Sequence, residues 1–493
     1  MPIQAEKIAQ TLEKLLDELG NSENLVNPYF RISKGAPEQI DRYFFINAKF
    51  QRFITVAQLI FGTIALILKV LFLVSASLVF VKQYRFFKFK NKPRQILFVS
   101  HGIGNNLTLK EGDQFFWNMP EYLQNKGKGV CIVYTNHYIF GFTKHNKFLQ
   151  SKIGDIERFL IPKFLRPSEN LTYFKTISIL AAKSLRLAVS KLRKEPTEFA
   201  ILIKASIFFY SRATYSNYLL NQRIQEIISF KGINTVALTF EGHSYEQFVI
   251  DEMYKRFGKL NVLLYQHSPI VKDHFGITTF LKKTEHRLLI FTTGSYYKKL
   301  FAELSNKHRI EVLGSNKSNQ SEVTATLTDT PHILFVPEGT THATKDMLIL
   351  LRRMIKADMD YFYTLRLHPN LKLNVALFWH IKKLQTSKKL VISKNLLPSD
   401  LASAQFVLYR SSAVGIESLK FSAIPIFYGS QENYGLNVLG HLDTKFPAVY
   451  SVDEAIAYFK STLIAPENNN RKEIFYELFE RMDYNILDIL LDF

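Results

Sequence analysis

QILFVSHGIGNN, residues 95–106, opens the part of the chain whose rhythm decides the fold. An apolar run without a polar break ends in His101-Gly102-x-Gly104. A strand solvated on one face alternates in polarity. A strand buried on both faces does not, so a run of this kind marks a parallel strand handing over to a loop. GVCIVYTNH (129–137) repeats the pattern, and NTVALTFEGHSYEQ (234–247) reads as strand, turn and helix start. KLNVLLYQHSP (259–269) and HRLLIFTTGS (286–295) follow in the same order. The intervening stretch, about 144–230, is polar and helix-rich, with a surface turn at KLRKEP. Buried strands separated by helices imply a doubly wound α/β domain over 95–314.

SNKSNQSEVTATLTDT (315–330) is polar and aperiodic and reads as a linker. The rhythm then restarts with HILFVPEGTT (332–341), YFYTLRLHPN (361–370), LVISKN (390–395), QFVLYRSS (405–412) and AIPIFYG (423–429). A second Rossmann-like domain over 331–460 follows, with C-terminal helices over 461–493. The expected fold is α/β, two such domains facing each other across a cleft. In open parallel sheets ligands bind beyond the carboxyl ends of the strands, so the residues at the strand tips carry the functional reading.

Residues 1–94 form an N-terminal helical extension. Ile8, Leu12, Leu15 and Leu19 recur at helical spacing, and the charged opening is not a cleavable signal. Leu59–Val81 is apolar apart from small polar residues and Lys69. Three readings stay open for it: a buried or dimer-forming helix, which would make a homodimer, a helix lying in the membrane interface, or a single span. The basic, aromatic run KQYRFFKFKNKPR (82–94) suits an anionic membrane surface, so the expected location is the cytoplasmic face of the cell membrane, peripheral or single-span.

The net charge of +20, from 63 Lys and Arg against 43 Asp and Glu, also asks for an anionic partner. Nucleic acid is not expected, because no stacking-aromatic module or Arg-rich reading helix appears. The single cysteine, Cys131, excludes an internal disulfide and a Cys-rich zinc site.

The tips of the second domain carry Glu338-Gly339-Thr340-Thr341, His368-Pro369 and Arg410-Ser411-Ser412, the last followed by a helix start with Gly415 and Glu417. Hydroxyls and N–H groups at a helix start can hold a phosphate, and a histidine whose loop is fixed by proline can donate to one. Glu338, Gly339, His368, Pro369, Ser411, Ser412 and Glu417 are therefore the expected nucleotide-phosphate residues. An ordinary N-cap is the alternative for the serines. Arg366, opposite in direction to Leu365 and Leu367, reads as an ion-pair residue.

HPN and, about forty residues later, RSSAVGIESLKFSAIPIFYG resemble the C-terminal half of GT-B glycosyltransferases. The likeness is to those using CMP-activated acidic sugars, the bacterial sialyltransferases and Kdo transferases of capsule and lipopolysaccharide assembly. FEGHSYEQ and LLYQHSP resemble bacterial surface-carbohydrate biosynthesis proteins. The resemblance covers about 95–460. It implies that His368, Ser411 and Ser412 hold the phosphate of CMP, that a CMP-sugar is the co-substrate with no other cofactor, and that the acceptor is a surface glycan or lipid-linked.

In the first domain the resemblance points to Glu241 as general base, though the acidic pair of the sialyltransferases is here Phe240-Glu241. A nucleophile, or a cap on the next helix, are the other roles open to it. His267 is the second catalytic candidate, for the sugar carboxylate or proton transfer. His101, Gly102, Asn105, Asn106, Asp113 and Gln266 are the candidates for sugar and acceptor. No HxH, HExxH or DxD cluster occupies a tip, which fits a metal-independent mechanism. Two other accounts remain: a CDP-alditol phosphotransferase of teichoic-acid type, which also pairs an HP tip with downstream serines, and a non-catalytic glycan-assembly protein that kept the fold.

Overall fold

The chain's structure, a computed structural model, describes residues 2–20, 22–31, 75, 93–102, 113–136, 156–162, 164–192, 194–271, 274–319, 330–357, 360–368, 371, 374–421, 423–429, 437–461 and 470–490. The apolar segment 59–81, apart from Ser75, lies outside the described residues, as do most of the basic run 82–94, Asn105, Asn106, Pro369 and most of the linker. Among the described residues no helix is long and apolar enough to cross a membrane.

Thirteen strands build two sheets among the described residues. The first holds β1 (Ile96–Gly102), β2 (Val130–Asn136), β3 (Glu157–Leu160), β4 (Thr235–Thr239), β5 (Asn261–Tyr265), β6 (Leu289–Thr292) and β7 (Arg309–Val312). Its order is β3-β2-β1-β4-β5-β6-β7, parallel throughout. The second holds β8 (His332–Val336), β9 (Phe362–Leu365), β10 (Leu390–Ile392), β11 (Phe406–Tyr409), β12 (Ile424–Tyr428) and β13 (Ala448–Val449), in the order β10-β9-β8-β11-β12-β13 and again parallel. Two parallel sheets with helices between their strands fit a two-domain, GT-B-like α/β plan.

The unbroken apolar runs account for this. Leu97, Val99, Val236 and Leu238 enter one core cluster, while Ile96, Phe98 and Ala237 enter another across the sheet. β1 and β4 thus bury both faces, which is why alternation is missing from their sequence. In each sheet the chain winds outward one way from the first strand, then returns to wind the other way. The switch falls between β1 and β4 in the first sheet and between β8 and β11 in the second. Neighbouring loops diverge there, and the resulting crevice is where such sheets take ligands.

Both ends of the chain join the first core. Leu12 and Leu15 of the helix Pro2–Leu19, with Tyr29 and Phe30 of the turn after it, are almost wholly buried there. Near the other end, Phe475, Leu478 and Phe479 share that cluster with Tyr409, Ile416 and Leu419 of the second sheet's layer, so the helix Arg471–Leu478 ties the two sheets together. Gly294 and Gly314 admit it: a Cβ at Gly294 would stand 2.2 Å from the carbonyl oxygen of Glu477, and one at Gly314 2.3 Å from that of Arg481.

Candidate functional site

β1, β2, β4 and β5 bring four tips together at the first switch point. His101, at the end of β1, lies with Nδ1 2.8 Å from Thr135 Oγ1 at the end of β2. Its Nε2 lies 3.2 Å from Thr239 Oγ1 on β4 and 3.3 Å from the Tyr245 hydroxyl. The ring therefore crosses the switch point with both nitrogens engaged. It links the ends of β1, β2 and β4.

Glu241 follows β4 by two residues. Its Oε2 lies 3.0 Å from His243 Nε2 and its Oε1 3.2 Å from His267 Nε2, and the Ser268 hydroxyl donates to Oε1. The capping role that Glu241 could have had falls to Glu246. That side chain accepts the N–H of Glu241 at 2.9 Å and of His243 at 3.0 Å, at the start of the helix Ser244–Phe257. Burial pushes the Glu246 carboxyl up to about 7, against the pull of His243 and the two N–H donors. Glu241 thus meets His243, His267 and Ser268 at the end of the sheet, partly open to solvent.

Two local features hold this arrangement. Gly242 has φ +72°, and a Cβ there would meet Ile277 N at 2.4 Å, so only glycine lets the loop pass the start of the helix Phe275–Lys283. Phe115 packs edge-on against His267 with ring centroids 4.9 Å apart. The Nδ1 of His267 is buried with no hydrogen-bond partner among the described residues.

Two of the residues expected to touch acceptor or sugar are committed elsewhere. Asp113 is buried and accepts Ser100 Oγ at 2.9 Å and the N–H groups of Phe115 and Phe116 at 2.8 Å. It closes a turn, which is the ordinary work of an aspartate at such a bend. Gln266 is wholly buried, its Oε1 taking Thr293 N at 3.1 Å and its amide donating to Ser268 O, so it sets the path of the loop carrying His267.

At the second switch point, Glu338 and Gly339 follow β8, His368 follows β9, and Arg410 and Ser411 follow β11. A Cβ on Gly339 would lie 2.9 Å from His368 Nδ1, so the glycine is what lets the imidazole stand beside that loop. His368 is half-buried, and desolvation lowers its pKa, favouring the neutral ring. Thr340 caps the sixteen-residue helix Thr341–Lys356 by accepting Ala343 N, and its hydroxyl donates to Glu338 Oε1 at 2.8 Å. No acidic residue occupies the first turn of that helix, and the carboxylate nearest its N-cap is that of Glu338.

The serines sit differently from a plain helix start. The helix Val414–Lys420 begins two residues after Ser412, whose Oγ accepts Val414 N at 3.3 Å. Ser411 has φ +47°, a left-handed backbone that a non-glycine residue adopts at a cost. Glu417, expected at the nucleotide, is instead buried and held by Lys317 at 2.6 Å, clamping the segment after β7 to the second sheet's layer. Arg366 pairs with Asp400 at 2.7 Å, and Arg410 with Asp346 at 3.0 Å.

His243, Ser268 and Glu246 complete the first cluster without having been singled out from sequence. The only signal was the spacing His243-x-x-Glu246, a capping pattern headed by an unusual residue. Among the described residues no group of three or more His, Cys, Asp or Glu is placed to hold a metal ion. A cavity of about 340 Å³ walled by Ile270, Val271, Ile277, Phe301 and His441 includes none of the Glu241 cluster in its lining.

No protein-family model and no curated protein sequence matches the chain. Solved structures resemble it at low identity. One is a UDP-GlcNAc 2-epimerase from Methanocaldococcus jannaschii, in complex with UDP-GlcNAc and UDP, at 12% identity and TM-score 0.45 over 81% of this chain and 100% of that one. A glycosyltransferase from Rickettsia africae gives 12% and 0.41 over 82% and 98%. MurG from Acinetobacter baumannii gives 9% and 0.41 over 81% and 100%.

Proposed function

We propose that this protein is a nucleotide-sugar-dependent glycosyltransferase, with the acceptor chemistry on the first sheet and the nucleotide on the second. The observation that carries the reading is the release of Glu241 from helix capping. Glu246 takes the backbone N–H groups, and the Glu241 carboxylate is held by His243, His267 and Ser268 beyond the end of β4.

A carboxylate so placed accepts the proton of an acceptor hydroxyl as that oxygen attacks the anomeric carbon. Ser268 and the two imidazoles fix its orientation. As the bond from the anomeric carbon to the leaving phosphate oxygen breaks, negative charge builds on the nucleotide. The His368 N–H, the N-terminus of the helix Thr341–Lys356 and the Ser411-Ser412 turn are the groups offered to it. The HPN and RSSAVGIESLKF motifs favour a CMP-activated acidic sugar of the Kdo or sialic type as donor, and a surface glycan or lipid-linked acceptor at the cytoplasmic face of the membrane.

The test is thermal stability of wild type and His368→Ala against CMP, CDP, UDP, GDP and ADP. A ligand bound only by the native state stabilises it by about 2.7 kcal/mol at a hundredfold excess over Kd. A CMP-selective rise that disappears in His368→Ala is expected. Preference for UDP or GDP would overturn the donor, and no rise with any nucleotide would overturn the enzyme.

A further inference from the structure

The helix Val375–Leu384 buries Leu377, Ile381 and Leu384 in the core of the second sheet's layer. Its opposite face is apolar as well: Val375 is 74% exposed, Phe378 51% and Trp379 54%. Lys382 lies on that same face with Nζ 5.6 Å from the centre of the Trp379 ring, and Lys383 is beside it. A surface helix of a protein that meets only water has no use for three large apolar side chains in one turn.

The charge around this face names its partner. From Leu371 to Ser399 the chain carries Lys372, Lys382, Lys383, Lys388, Lys389 and Lys394, and no aspartate or glutamate. A second copy of the chain would set this charge against itself. A large aromatic pair edged by lysines suits the boundary of an anionic bilayer, where indole rings settle at headgroup level and lysine stems reach the phosphates. We infer that the Val375–Leu384 face docks on anionic phospholipid bilayers, with Phe378 and Trp379 entering the interface and Lys382 and Lys383 at the headgroups.

This rests on the glycosyltransferase reading and adds the place of the acceptor. Six residues separate His368 at the tip of β9 from Val375, so docking sets the nucleotide end of the second sheet near the membrane surface, where a lipid-linked acceptor resides.

The chain has two tryptophans, Trp117 and Trp379, so the full chain carrying Trp117→Phe reports from Trp379 alone. Its emission is followed with vesicles of phosphatidylglycerol and phosphatidylethanolamine, with and without acyl-chain bromination, and with phosphatidylcholine vesicles. A blue shift and bromine quenching in the anionic vesicles only are expected, with binding weakened roughly 30-fold or more by Lys382→Glu with Lys383→Glu. In the otherwise wild-type chain the quenchable emission disappears on Trp379→Phe, which keeps the test valid if Trp117→Phe folds poorly. Vesicle binding with Trp379 unquenched would overturn the inference by placing the attachment elsewhere, and absence of binding would overturn it equally. Nucleotide-induced thermal shifts on the same samples separate the two readings. A shift with Trp379 unquenched sinks the docking and leaves the enzyme, and quenching without any shift does the reverse.

Discussion

His267 Nε2 stands 3.2 Å from Oε1 of Glu241, across the gap between the tips of β5 and β4. Each holds the other's orientation, and neither is needed to cap a helix. Glu241→Gln keeps the shape and loses the basicity. Release of CMP from a CMP-activated acidic sugar should fall roughly 10²- to 10⁴-fold, while the CMP-induced thermal shift stays as in wild type. A fully active Glu241→Gln protein would remove the residue from the chemistry, and loss of CMP binding would recast it as structural.

The second sheet is tested by affinity. A hydrogen bond to a charged group contributes about 1.5–3 kcal/mol, so His368→Ala should raise the Kd for CMP roughly 10- to 100-fold by calorimetric titration. Gly339→Ala should weaken binding in the same direction with His368 intact, because the new methyl would press on the ring from 2.9 Å. Affinity unchanged by both would mean that the nucleotide lies elsewhere.

Gly242 separates geometry from chemistry. At φ +72°, alanine carries a backbone penalty of about 1–3 kcal/mol before any contact is counted, and its Cβ would lie 2.4 Å from Ile277 N and 2.7 Å from Gly276 C, both backbone atoms. Gly242→Ala should lower the urea midpoint with the m-value unchanged. A midpoint equal to wild type would show that the start of the helix Phe275–Lys283 can move aside.

What the sequence made legible follows from burial. Strands covered on both faces announce themselves as apolar runs, and β1, β2, β4, β5, β6, β8, β9, β11 and β12 were all readable that way, as was the apolar edge strand β10 (LVI). The other edge strands, β3 (ERFL), β7 (RIEV) and β13 (AV), were not, because the first two carry charge and the third is only two residues long. That Glu241, His267 and His368 stand just beyond strand ends was legible, because a strand tip is a position that periodicity locates. The partners of these groups could not. Loop side chains have no period, and in FEGHSYEQ the one hint that Glu246 caps and Glu241 does not is the His243-x-x-Glu246 spacing, headed by a residue that seldom caps. Glu417 misled for a different reason: Lys317, which claims it, lies a hundred residues earlier, and such a pairing exists only in the folded chain. Asp113 looked like a ligand because turn-closing and sugar-binding aspartates have the same local composition.

The last prediction concerns the group that frees Glu241. The Glu246 carboxyl, ordinarily near 4.5, is pushed up to about 7 by burial. Between those values the folded protein binds a proton that the unfolded chain has released, so the unfolded state holds fewer protons and stability falls as pH rises from about 4.5 to 7. The ceiling on this effect is roughly 3 kcal/mol. Glu246→Gln carries no titrating proton and keeps an oxygen for one of the two N–H donors, so its stability should lose that downward slope. Urea unfolding of both proteins at several pH values across the window measures it. Parallel slopes would mean that Glu246 is ionised throughout, held charged by the N–H groups of Glu241 and His243 and by the nearby imidazole.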